Sequence, residues 1–323
     1  MREFAFVLMS GLAFSVHAAQ EKDVSKVETT FKRYLDTPHP KGPSKTVAYD
    51  PVVDAKINGA RQARLSILAE LKAFPKETVR AARRVLFEQA SPKQRREILG
   101  MLGDHIHTRE CAELLHDVIQ DVRKPKDEHA ALYEELSRRS AVHGLRMMGR
   151  RTGRSGGKRI RRGPDFEPKV RGLVPYMISA ANDKAERVRV SALYALADSR
   201  EPAAVAELRN RLKDRSEKVR LYAACFLTEY QDATGLSEMR KALVRLKKTE
   251  KIELEDDFGH YGRIEMLLAS LERITGKSFG EIPLNPTLSS ISPYHGRERY
   301  EELLDTWHAW WTWQPDGQGA TSL

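Results

Sequence analysis

With 323 residues and only two cysteines, Cys111 and Cys225, the chain is excluded from the disulfide-scaffold class. Lysine and arginine number 55 against 45 aspartates and glutamates, a net charge of +10. No stretch approaches the length of a membrane-spanning helix, so a helical integral membrane protein is excluded as well.

Residues 1–18 carry the marks of a targeting segment. Arg2 begins it, an apolar run extends from Phe4 to Val16, and Val16 and Ala18 supply small side chains at the −3 and −1 positions of a cleavage site. The run is too short to span a bilayer, and the absence of a cysteine near the cleavage point argues against a lipid anchor. The mature chain is expected to be exported, periplasmic or extracellular. Residues 19–56 are polar and hold Pro38, Pro40, Pro43 and Pro51, which predicts a linker with a short helix around Val24–Leu35 at most.

Helical composition begins at Ala55, and helices are predicted near 56–73, 76–89, 92–103 and 109–121. The third opens with Ser91 and Gln94 as a capping box and Pro92 at its first position. Ala112-Glu113-Leu114 with Val118 echoes Ala206-Glu207-Leu208 with Leu212, so the fourth reads as the second helix of a repeating pair. Arg138–Leu145 aligns with Arg189–Leu196 at an offset of 51, although Leu132 stands where an Asp is expected. That offset is a 31-residue period plus an insertion of twenty residues. The insertion is predicted as a basic, glycine-rich loop over 149–165, where apolar periodicity is missing.

The period itself is plainest from Asp183 to Leu243. Asp183, Glu186, Val188, Arg189, Ala192 and Leu196 are answered 31 residues later by Asp214, Glu217, Val219, Arg220, Ala223 and Leu227. Each unit opens with Asp-x-x-Glu, the spacing of a helix N-cap with a reciprocal acid. Val188, Ala192 and Leu196 make one apolar stripe, and Val205, Leu208 and Leu212 a second on the antiparallel partner. Neither helix can bury its face alone, so the units must stack.

An Asp followed six residues later by the Arg of a Val-Arg pair, in helix pairs of this length, resembles the HEAT repeat family in the short form also found in phycobilin lyases. The resemblance implies an all-α, right-handed α-solenoid of armadillo type. It also implies an inter-repeat ion-pair ladder made by Asp183, Arg189, Asp214 and Arg220, with the Val-Arg helices on the concave face. It places no catalytic residue of the lyases, and the His-Glu dipeptide used by di-iron hydroxylases of the HEAT class is absent.

Beyond a charged joint, a helix is predicted near 257–274, with Ile264, Leu267, Leu268 and Leu271 as its stripe and Gly276 just past its end. The solenoid is thus expected over 57–275, a Pro/Ser-rich loop over 276–296 and a last helix over 297–314. Gly276, Phe279-Gly280 and the later Trp-x-x-Trp-Trp resemble the ends of exported bacterial HEAT-repeat proteins of unknown function.

Two stretches carry the candidate sites. Residues 146–171 hold ten basic side chains against Asp165 and Glu167, which is +8 of the +10 of the whole chain. Arg150, Arg151, Arg154, Lys158, Arg159, Arg161 and Arg162 are expected to attract polyanions through counterion release. No aromatic residue interleaves them from Arg150 to Arg162. A phosphate-loop reading fails, because Arg159 stands where Ser or Thr should follow Lys158, and Thr152 where the first glycine should be. The four tryptophans, Trp307, Trp310, Trp311 and Trp313, fall within seven residues and are expected to cap the last repeat or to form a partner surface.

His105, His107, Cys111 and His116 match no zinc-ligand spacing, since Cys111 and His116 are about 140° apart around a helix. Glu255, Asp256 and Asp257 with His260 read as a helix cap. No metal site and no cofactor are expected. The functional expectation is a non-enzymatic binding or scaffold protein of the cell envelope, with another protein as partner. The alternative is a polyanion binder that takes an acidic glycan or anionic lipid through the basic insertion, nucleic acid being disfavoured by the export signal. A lyase-like or metal-dependent enzyme is a minor alternative.

Overall fold

The structure, a computed structural model, describes residues 25–37, 51–121, 127–150, 152–155, 158–161, 168–248, 259–280, 282 and 293–312. The expected targeting segment, residues 1–18, lies outside them. Among the described residues the fold is all-α, antiparallel helices following one another along the chain, with one two-stranded ribbon. No helix among the described residues is long and apolar enough to cross a membrane. The chain divides into two compact units, Met1–Met148 with Pro168–Leu173, and Gly149–Glu167 with Val174–Leu323.

The first unit contains α1 (residues 25–36), α2 (Pro51–Ala73), α3 (Pro75–Arg84), a π-helical turn (Val85–Gln89), α4 (Pro92–His105), α5 (Arg109–Gln120) and α6 (Glu128–Gly149). Within the linker expected over 19–56, the short helix read around Val24–Leu35 is present as α1, while α2 starts five residues ahead of the predicted position 56. Helix α1 is folded into the unit by Val27, Phe31 and Tyr34, all buried at i, i+4 and i+7. Arg64 of α2 donates to the Thr37 carbonyl at 2.8 Å and lies 4.1 Å from the Tyr34 ring centroid. Helix α2 starts at Pro51 because proline is well suited to a first helical turn. The Ser91–Gln94 capping box is present at the start of α4. Helices α4 and α6 meet at Gly103 and Gly144, where a Cβ on Gly103 would overlap the Gly144 backbone.

The second unit runs β1 (Thr152–Ser155), β2 (Lys158–Arg161), α7 (Val174–Ala181), α8 (Glu186–Ser199), α9 (Pro202–Arg211), α10 (Glu217–Leu227), α11 (Leu236–Lys248), α12 (Gly259–Thr275) and α13 (Pro293–Thr312). Helix α10 is the pivot: it packs on α8, α9, α11 and α12, and residues 221–229 are all buried. Its apolar face continues through Met239, Leu243, Leu267, Leu268 and Leu271 to Leu303, Leu304 and Trp307 of α13. Each fully buried leucine of that series contributes about 1.5–3 kcal/mol relative to exposure. Gly276 ends α12 with φ 69°, its N–H donating to the Glu272 carbonyl. Helix α13 begins at Pro293, four residues earlier than the spacing predicted.

Candidate functional site

The repeated Asp and Arg residues are best followed from the turn that starts each pair. Asp183 Oδ1 accepts from the Ala185 N–H at 2.7 Å, and Asp214 Oδ1 accepts from the Ser216 N–H at 2.8 Å. Each Asp therefore closes a tight turn two residues ahead. The expected Asp-x-x-Glu capping box is absent, since the N-cap residues are Ala185 and Ser216 and only Ser216 caps with its side chain.

Arg189 forms a two-pronged pair with Asp214 of the next unit, Nε to Oδ2 and Nη2 to Oδ1, both at 3.0 Å. Its remaining nitrogen donates to the carbonyls of Asp183 and Lys184. Both side chains of the pair are at most 5% exposed. Arg220 repeats the backbone half of this pattern, donating to the Asp214 carbonyl at 2.8 Å, but its carboxylate partner is Glu238 at 2.9 Å. Hydrogen bonds thirty and thirty-one residues apart fill in between, Ser216 Oγ to Glu186 and Arg215 to the Lys184 carbonyl. Among the described residues, Arg200 and Gln231, also 31 apart, are the two non-glycine residues with positive φ, 58° and 59°.

The basic insertion is more than a loop. Its middle forms an antiparallel ribbon with Thr152 opposite Arg161, Gly153 opposite Ile160, Arg154 opposite Arg159 and Ser155 opposite Lys158. The strands are joined by two residues, Gly156 and Gly157, the composition that two-residue hairpin connections favour. Arg150 is half-buried, whereas Arg151 and Arg162 lie outside the described residues. In the first unit the chain returns beside its point of departure, with the Val170 N–H donating to the Met148 carbonyl at 3.1 Å. Arg109 holds the returning strand by donating to the Arg171 and Gly172 carbonyls.

Beside that strand, Lys169 Nζ stands 3.2 Å from His107 Nε2. Burial lowers the pKa of both His105 and His107, with the positive charges of Lys72 and Lys169 pushing the same way. Cys111 and Cys225 are buried, and burial pushes each thiol up to about 12, so neither is a ready nucleophile. Among the described residues no three of His, Cys, Asp and Glu gather closely enough to hold a metal ion. The acidic group at 255–257 lies outside those residues.

At the C-terminal end, Trp307 is 1% exposed and meets Phe279 edge to face at 4.8 Å. Trp310 and Trp311 extend the chain of rings outward at 5.5 and 5.8 Å, each half-buried. Trp313 lies outside the described residues. Two open grooves lie among the described residues. One, of about 490 Å³ in the first unit, has Arg83 and Arg84 paired with Asp117 and Glu28. The other, of about 600 Å³ in the second unit, has Arg200 and Arg209 paired with Glu229 and Asp232.

No protein-family model matches the chain, and no curated protein does. Among solved structures, human deoxyhypusine hydroxylase in complex with glycerol matches over 90% of this chain and 99% of that one, with 17% identity and a TM-score of 0.25. That neighbour is an enzyme, and the expectation that this chain is not one is withdrawn on that finding. At such a score the likeness assigns this chain no activity of its own.

Proposed function

We propose that the chain is an exported helical-repeat scaffold of the cell envelope that binds another protein through its stacked helices and a polyanion through its basic insertion. One observation carries the polyanion contact. The charge excess is segregated, with +8 of +10 confined to residues 146–171. Many of the described arginines in the repeats are already engaged in holding neighbouring helices together, as Arg189, Arg200 and Arg220 are. A net positive charge concentrated in so short a stretch raises the local concentration of anions around it. The features of residues 1–18 support export, and export favours glycans and lipid headgroups over nucleic acid.

The test is binding of the mature chain to dextran sulfate, anionic lipid vesicles and duplex DNA across a salt series. A variant with Arg150, Arg151, Arg154, Lys158, Arg159, Arg161 and Arg162 changed to glutamine is run alongside. Affinity should fall steeply with salt in the parent and be lost in the variant. A parent that binds none of the probes, or a variant that binds as the parent does, overturns the polyanion contact. For the scaffold half, crosslinking of the mature chain in its own envelope should trap a discrete partner, and failure to enter the envelope fraction removes it.

A further inference from the structure

The strand register adds something that charge counting does not. Alternation along the ribbon assigns positions 152, 154, 159 and 161 to one face and 153, 155, 158 and 160 to the other. The first face carries Arg154, Arg159 and Arg161 beside Thr152; the second carries Lys158 with Gly153, Ser155 and Ile160. Arg154 and Arg159 are direct cross-strand partners, which sets their positions about 4.5–5.5 Å apart. Arg159 and Arg161 follow two residues apart on one strand, about 6.6 Å.

From this placement we infer that the ribbon binds a sulfated or phosphorylated glycan chain along its three-arginine face, a site that rests on the polyanion reading above and narrows it. Like charges directly opposite each other weaken a strand pair, and a two-stranded ribbon alone is marginal in water. An oxyanion lying between Arg154 and Arg159 turns that repulsion into attraction, so binding and strand pairing reinforce each other. Arginine suits the task, because its planar fork takes sulfate or phosphate oxygens two at a time. The spacing of about 5–7 Å offers a row of oxyanions successive contacts.

The composition of the ribbon chooses among polyanions. No aromatic residue lies between Thr152 and Arg161, so there is no platform on which bases could stack. Ile160 is the sole large apolar residue in the same span, and it belongs to the opposite face, so no apolar edge accompanies the arginines into a lipid surface. A linear glycan asks for neither feature.

The experiment compares two variants of the full mature chain that lose equal charge. One changes Arg154, Arg159 and Arg161 to glutamine; the other changes Arg150, Arg151 and Arg162. Both are titrated with dextran sulfate, single-stranded DNA and phosphatidylglycerol vesicles at one ionic strength. Helical circular dichroism and the melting temperature report whether each variant is folded. The first variant should lose at least about tenfold more affinity for dextran sulfate than the second, the effect of charged hydrogen bonds made from fixed positions. Equal losses in the two variants would sink the face assignment while leaving the polyanion contact standing. Preference of the parent for DNA or vesicles overturns the glycan. A parent that binds nothing removes this inference together with the reading beneath it.

Discussion

The two units join their helices by different means. In the second, some contacts recur with the sequence period: Asp183 and Asp214 each accept from the N–H two residues on, and Arg189 and Arg220 each donate to the carbonyl six residues back. In the first, ion pairs such as Arg64–Glu97 and Arg83–Asp117 are accompanied by features that occur once. Gly103 and Gly144 let two helix backbones touch. Arg95, 2% exposed, donates to the Leu86 carbonyl and pairs with Asp121 and Glu134. A polar contact that recurs leaves a trace in the sequence, and one made once does not.

That contrast can be broken experimentally. The largest effect is expected at Asp214, whose change to alanine strands the buried Arg189 guanidinium. A loss of about 3–5 kcal/mol follows, read by urea unfolding of the intact chain. Asp183 accepts a turn hydrogen bond from Ala185 and is half-buried; its change to alanine should cost nearer 1 kcal/mol. Equal losses at these two periodic positions would show that the Arg189–Asp214 pair does not dominate the joint.

Next in size is Gly103→Ala in the first unit. Overpacking against backbone that cannot yield costs about 1–3 kcal/mol. Gly144→Ala meets a Leu115 methyl that can shift and places its Cβ 3.0 Å from the Gly103 Cα, a milder clash than Gly103→Ala makes with Gly144, so it should cost less. On the same helix as Gly103, Gly100 has nothing within 4 Å of an added Cβ. Gly100→Ala should therefore stabilise by about 0.5–1 kcal/mol through helix propensity alone. A cost for Gly100→Ala would place α4 differently.

Acid should act on the first unit as well. His105 and His107 hold their protons less tightly in the native chain than at the ordinary value of 6.5, chiefly through burial. The unfolded chain therefore protonates first on acidification, and their contribution is full above that value and lost as pH falls below it. Melting temperatures measured from pH 7.5 to 5.5 should decline, and the His105→Gln, His107→Gln double variant should decline less. The smallest effect is the absence of one. Cys111 and Cys225, buried with pKa values about 12, should resist thiol reagents in the native chain and react only in denaturant.

The period of 31 made the helical-repeat fold legible, and the stripes located most helices to within a few residues. It did not reveal partners: Arg220 ends on Glu238 of α11, which breaks the Asp pattern, and Asp183 and Asp214 close turns rather than cap helices. The short helix read around Val24–Leu35 is α1, with Val27, Phe31 and Tyr34 buried at helical spacing, whereas the start of α2 at Pro51 was hidden among prolines read as linker. The Gly156-Gly157 pair was the available sign of the ribbon. It was obscured because the flanking arginines show no apolar alternation, and register alone brings Arg154 opposite Arg159. Gly103 and Gly144 lie forty-one residues apart, outside the repeat, and nothing local marks them as neighbours.

The hydrogen bond from Val170 to Met148 has a consequence for how such a chain can change. The twenty-one residues between them depart and return at one spot, so their number hardly alters the entropy of closure, which grows only with the logarithm of length. The segment behaves as an exchangeable cassette. Relatives could lengthen it, trim it or replace its chemistry while α4, α5 and α6 keep their packing, and a foreign peptide spliced there would arrive with its ends already gathered.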